Sequence, residues 1–102
     1  MSQKIRVAVD AMGGDNSPKK IIDGIIHNSK DNSDVIYNIF GDKTLIESFL
    51  PYNYNKSIFH ITNTKNKILD TDTPLTGAKK GKNTSMWMTI QSLKNNDSDI
   101  AI

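Results

Sequence analysis

The stretch Ile5-Arg6-Val7-Ala8-Val9-Asp10-Ala11-Met12-Gly13-Gly14-Asp15-Asn16-Ser17-Pro18 decides the fold. Its first six residues alternate and are rich in β-branched side chains, which predicts a strand over Ile5–Asp10. Two glycines then let the backbone turn sharply. Asn16 or Ser17 followed by Pro18 predicts a helix start, because proline is tolerated at the first helical position. Ile21, Ile22, Ile25 and Ile26 fall on one face at helical spacing, so the stretch opens a strand–glycine loop–helix unit. Gly24 weakens that helix by ~1 kcal/mol relative to alanine.

Working outward, the pattern repeats. A second strand is predicted over Val35–Phe40, ending at Gly41-Asp42. Asp42 caps a helix whose buried face is Leu45, Ile46, Phe49 and Leu50, and Pro51 stops it. A shorter strand follows over Ser57–Thr62. From Asn63 to Lys82 there is no clear periodicity, only polar residues punctuated by Pro74, Gly77 and Gly81. Asn83 or Thr84 caps a last helix with Met86, Ile90 and Leu93 on its buried face, Asn95–Ser98 breaks it, and Asp99–Ile102 begins another strand. This β-α-β-α-β-loop-α-β order predicts an α/β domain over residues 1–102, with a mostly parallel sheet and helices on its faces. The last strand ends where an open α/β sheet binds its ligands.

Composition narrows the function classes. The chain has 102 residues and 36% hydrophobic content, with a mean hydropathy of −0.48, which is low for a globular domain but above the disordered range. Its net charge is only +2 and its lysines are spread out, with Lys79, Lys80 and Lys82 as the one cluster, so nucleic-acid binding is disfavoured. With no cysteine there is neither a disulfide nor a thiolate metal site. No apolar run approaches a signal peptide or a membrane span, which predicts a cytoplasmic protein.

Two stretches carry candidate chemistry. Asp10, Gly13, Gly14 and Asp15 form a strand-to-helix turn where free N–H groups and a positive helix end suit an anion such as phosphate. It is neither a dinucleotide fingerprint nor a P-loop, and either acid can equally serve to cap or turn the chain. The second stretch is Lys79-Lys80-Gly81-Lys82-Asn83-Thr84-Ser85-Met86, where cations and hydroxyls precede a helix. Lys82, Thr84 and Ser85 can cradle an oxyanion there, and a solvated basic loop with an ordinary cap is the alternative. His27 and His60 have no partners at ligand spacing, and Met86-Trp87-Met88 reads as helix packing.

The run Val7–Pro18 resembles the signature of the bacterial phosphate acyltransferase family, V-D-A-M-G-G-D-x-x-P. Further matches stand in register: Gly41-Asp42, Asp72 with Pro74, Lys82 and Thr84-Ser85-Met86 (the family reads K-x-S-S-M), and a final Asp99–Ile102 like the strand before the family's S-A-G-N-T-G-A loop. The resemblance covers essentially the whole chain but only the first part of a usual member. It implies a three-layer α/β/α fold like that of isocitrate and isopropylmalate dehydrogenases, cut short here. It also implies transfer of a fatty acyl group from acyl-carrier protein to inorganic phosphate for phospholipid synthesis, with no cofactor and no metal. A homodimer, a functional link to a membrane glycerol-3-phosphate acyltransferase, and peripheral membrane contact through a later segment of longer relatives are implied as well. Gly77-Ala78-Lys79-Lys80 departs from the family's arginine, whose bidentate grip lysine cannot reproduce. Because the second glycine loop lies beyond Ile102, a non-catalytic remnant is the competing expectation, and a nucleotide-binding α/β domain is a third.

Overall fold

The computed structural model describes residues 4–13, 18–32, 34–64 and 84–102. The described elements are β1 (Ile5–Asp10), α1 (Lys19–Asp31), β2 (Val35–Gly41), α2 (Lys43–Ser48), β3 (Phe59–Asn63), α3 (Ser85–Lys94) and β4 (Ile100–Ala101). The four strands form one parallel sheet in the order β3-β2-β1-β4. Ile5 to Asp10 lie opposite Val35 to Phe40, and Tyr37 to Gly41 lie opposite Phe59 to Asn63.

The period of two along the strands sorts their side chains between two faces. Val7, Val9, Tyr37, Ile39 and Phe59 form one core cluster with Ile22 and Ile25 of α1 and Ile46 and Leu50 at α2. The intervening residues Asp10 and Asn38 bond instead to α3 and the turn after it. Right-handed crossovers account for this arrangement. The chain steps outward from β1 to β3 with α1 and α2 on one face, then returns past β1 to β4 with α3 on the other. The result is a three-layer α/β/α architecture, and the strand order reverses between β1 and β4.

Several boundaries differ from the sequence reading for local reasons. Pro18 is the residue before α1 rather than its first helical residue, and its carbonyl accepts the Ile22 N–H at 2.9 Å. Residues 16 and 17, the expected caps, lie outside the described residues. β3 begins at Phe59 rather than Ser57, because the Asn55 side chain accepts the Ser57 N–H at 2.9 Å and its carbonyl takes Ile58 and Phe59, closing a turn. In α2, Asp42 caps by accepting from Leu45 N–H, and Ile46 and Leu50 are buried as expected, but Leu45 stays on the rim.

The largest correction concerns α3. Its buried face is Ser85, Thr89 and Ser92, whereas Met86 and Ile90, expected inside, are each 46% exposed. Small polar residues let the helix pack on β1, and they satisfy their own hydroxyls. Thr89 donates to the Ser85 carbonyl at 2.7 Å, and the Ser92 and Ser98 hydroxyls pair at 2.7 Å. The helix ends in a Schellman turn. Asn96 takes φ 61°, Asp97 N–H bonds the Ser92 carbonyl at 2.9 Å, and Asn96 N–H bonds Leu93 at 3.2 Å. Asparagine tolerates that left-handed conformation better than other side chains. Asp99 then stays outside β4, pinned to Arg6 through its backbone and a 3.1 Å ion pair.

Candidate functional site

In a parallel sheet the carboxyl ends of all strands share one edge, and a reversal of strand order opens a crevice there. Along this edge lie the end of β1 at Asp10, the end of β2 at Gly41 and the end of β3 at Asn63, with the start of α3 at Ser85 above them. Asp10 and Ser85, 75 residues apart in sequence, meet here. The Ser85 hydroxyl donates to Asp10 Oδ1 at 2.5 Å, and the Met12 N–H donates to the same oxygen at 3.1 Å. One carboxylate oxygen therefore holds both the glycine loop and the first turn of α3.

Gly13 sits against the other oxygen. A Cβ at that position would lie 3.0 Å from Asp10 Oδ2, so a side chain there would push the carboxylate away. On the far side of the loop the Met12 side chain lies over Gly41. A Cβ on Gly41 would meet Met12 Cγ and Ile46 Cδ1, each at 3.0 Å. The Gly41 carbonyl accepts the Thr64 N–H at 2.7 Å, and Asn63 Oδ1 accepts the Lys43 N–H at 2.9 Å. The ends of β2 and β3 are thus tied into the same edge.

Thr84, fully buried, caps α3 from an extended conformation by accepting the Trp87 N–H at 3.1 Å. Its carbonyl takes the Met88 N–H. The N–H groups of Ser85 and Met86 have no carbonyl one turn earlier within α3, and the helix dipole adds positive potential at this end. The Asp10 carboxylate complements that potential, which is a physical reason for an acid at this position.

Of the residues singled out from sequence, the structure brings together Asp10, Gly13, Thr84 and Ser85. Gly14, Asp15 and Lys82 lie outside the described residues, as do Lys79 and Lys80. Sequence reasoning named Met12 and Gly41 only within the family matches and did not foresee that they wedge the glycine loop against β2. The available signal was that a glycine closes β2 directly before a helix cap, which marks close backbone approach. It also did not pair Asp10 with Ser85, since nothing local connects them. Both histidines are exposed, and among the described residues no group of three or more acids or histidines is placed to hold a metal. No described helix is long and apolar enough to cross a membrane.

Known proteins are similar to this chain in sequence. A family described as fatty acid synthesis protein matches residues 5–102. The chain is 57% identical over 102 residues to the phosphate acyltransferase of Pelagibacter ubique (strain HTCC1062), covering all of this chain and 30% of that protein. It is 36% identical over 97 residues to the phosphate acyltransferase of Streptococcus mutans, covering 95% of this chain and 28% of the relative. With the Enterococcus faecalis phosphate acyltransferase it shares 33% identity over 95 residues, again 28% of the relative. The chain thus spans about three-tenths of the length of these curated relatives. With the family match running over nearly every residue and the glycine loop, the capped α3 and the parallel sheet in place, the chain belongs to the phosphate acyltransferase family of fatty acid synthesis proteins.

Proposed function

We propose that the chain forms the phosphate-side wall of a site that transfers an acyl group from an acyl-carrier-protein thioester to inorganic phosphate. The observation that carries this reading is the clamp between Asp10 and Ser85, which fixes the start of α3 over the glycine loop at the carboxyl edge of the sheet. In the reaction a phosphate oxygen bonds to the thioester carbonyl carbon, and the C–S bond then breaks to release the carrier thiol. Between these events a tetrahedral oxyanion needs preorganised donors. Holding phosphate and thioester in contact supplies much of the acceleration.

Roles follow from charge. Phosphate is repelled by a carboxylate, so Asp10 is a positioning residue that acts through Ser85 and the Met12–Gly13 backbone. Gly13 leaves room for the Asp10 carboxylate to lie against the loop. Thr84 and Ser85 set the first turn of α3 toward the anion, and Gly14, Asp15 and Lys82, which lie outside the described residues, are further candidates for its contacts by resemblance to the family. A cytoplasmic homodimer that passes acyl phosphate to a membrane glycerol-3-phosphate acyltransferase belongs to the same reading.

The span of three-tenths of the relatives' length favours a second reading for the isolated chain, in which it does not turn over without the rest of the family fold. One experiment addresses both. Acyl phosphate is trapped with hydroxylamine from acyl-carrier-protein thioester and phosphate, using the isolated chain and a chimera. The chimera is the Pelagibacter ubique relative with its matching 102 residues replaced by this chain. Phosphate-dependent product from the chimera alone is expected. Product from the isolated chain removes the second reading, and an inactive but folded chimera removes the first.

A further inference from the structure

The start of the glycine loop is held in two ways. Its backbone is fixed beside β1, where the Ala11 N–H donates to the Phe40 carbonyl at 3.0 Å and the Met12 N–H donates to Asp10 Oδ1 at 3.1 Å. The Met12 side chain reaches the other way, across the end of β2. A Cβ on Gly41 would stand 3.0 Å from Met12 Cγ, 3.1 Å from Met12 Sδ and 3.0 Å from Ile46 Cδ1. The thioether therefore occupies the volume that a larger residue at position 41 would fill. A long, unbranched and adaptable side chain suits such a gap. Gly41 is itself fixed: it is buried, it closes β2, and its carbonyl accepts the Thr64 N–H at 2.7 Å where the chain leaves β3. Ile46 is fully buried within the core cluster, whereas Met12 is half-buried and stands outside that cluster. Met12 thus adds little to the core and instead seats the loop on the end of β2.

We infer that Met12 is a positioning residue for the phosphate step: its side chain, seated on the bare Gly41, sets where the loop stands relative to the start of α3. The inference rests on the phosphate reading of the sheet edge proposed above. It adds to that reading a second hold on the loop, made by shape at β2 rather than by hydrogen bonds at Asp10. Misplacing a reacting group by about 1 Å can cost up to ~100-fold in rate, so a side chain that touches no reactant still governs the reaction through the loop it carries. Gly41 is the complementary half of the device, because only a residue without a side chain leaves Met12 its seat.

The test uses the chimera described above with Met12→Ala, Met12→Leu, Gly41→Ala and the pair Met12→Ala with Gly41→Ala. Met12→Ala is expected to raise the phosphate KM about fivefold and leave the thioester KM nearly unchanged. Met12→Leu, which keeps the volume, is expected to return it to within about twofold of the parent. Gly41→Ala pushes Met12 off its seat and raises the same constant. The pair raises it by less than the product of the two single effects, because the new methyl fills space that the truncated side chain leaves. A side chain that only stabilised the fold would lower the amount of active protein, and so kcat, with both KM values unchanged; that result overturns the inference. Turnover by the parent chimera reports on the phosphate reading by itself. With a folded but inactive parent chimera that reading falls, and amide exchange in the isolated chain decides the seat. Met12→Ala should then speed exchange of the amide at position 12 severalfold more than that of Val9 in β1. Equal acceleration at both amides assigns Met12 to general stability and overturns the inference.

Discussion

Removing the Ser85 hydroxyl tests the clamp at its narrowest point. Ser85 is 1% exposed, and its hydroxyl donates to a carboxylate oxygen that also accepts the Met12 N–H. A hydrogen bond to a charged group contributes about 1.5–3 kcal/mol. Asp10 is only partly buried, so water recovers some of that, while alanine adds a few tenths of a kcal/mol of helix propensity. Ser85→Ala should therefore cost about 1–1.5 kcal/mol. With a urea dependence of about 1 kcal/mol/M for a domain of this size, the unfolding midpoint falls by about 1 M. Trp87, in the same first turn of α3, gives the fluorescence signal, and far-ultraviolet dichroism gives a second. In an Asp10→Asn background the same substitution should cost markedly less, because the charged acceptor is gone. A midpoint unchanged to within about 0.2 M, or equal losses in the two backgrounds, would refute the clamp.

Other substitutions probe neighbouring contacts. Gly41→Ala places a methyl 3.0 Å from both Met12 and Ile46, so overpacking should cost about 1–3 kcal/mol, and a neutral urea midpoint would show that Met12 simply moves aside. Thr84→Ala removes the cap of α3 and should lower stability by ~1 kcal/mol, with Thr84→Ser recovering most of it in the same titration. The hydrogen bond from the Arg6 guanidinium holds the Asp99 carboxyl below its usual value. A depressed carboxylate contributes stability above its unfolded pKa and loses it as pH falls through the folded value. Stability of the parent should therefore drop more steeply below about pH 4 than that of Asp99→Asn, and parallel profiles would show that the pair contributes nothing.

Strand β1 was legible to the residue, because Ile5–Asp10 carries both the alternation and the glycine stop in a few positions. The order of elements was legible for the same reason, since each strand ends at a glycine, a cap or a turn. The facing of α3 was not. Periodicity assigns the apolar stripe of a helix to the interior, but Ser85, Thr89 and Ser92 form a small-residue stripe at similar spacing and win the inner face. They permit close packing on β1, and a hydroxyl that bonds within its own helix or across to Ser98 costs little to bury. At the site, Asp10, Gly13, Thr84 and Ser85 were each legible as candidates from local chemistry. Their meeting depended on the return of the chain past β1, a property of topology rather than of any window of sequence. The contact of Met12 with Gly41 escaped, although both residues stood in the family matches, because a close approach between a loop and a strand end leaves only a single glycine as its trace.

The central claim is that the clamped start of α3 faces phosphate. It is tested most directly by the phosphate KM of the chimera carrying Ser85→Ala, with acyl phosphate as product. Loosening the first turn should raise that KM roughly tenfold, equivalent to about 1.4 kcal/mol of binding, and leave the KM for acyl-carrier-protein thioester nearly unchanged. A phosphate KM equal to that of the parent chimera, with the loss falling on the thioester instead, would contradict the account.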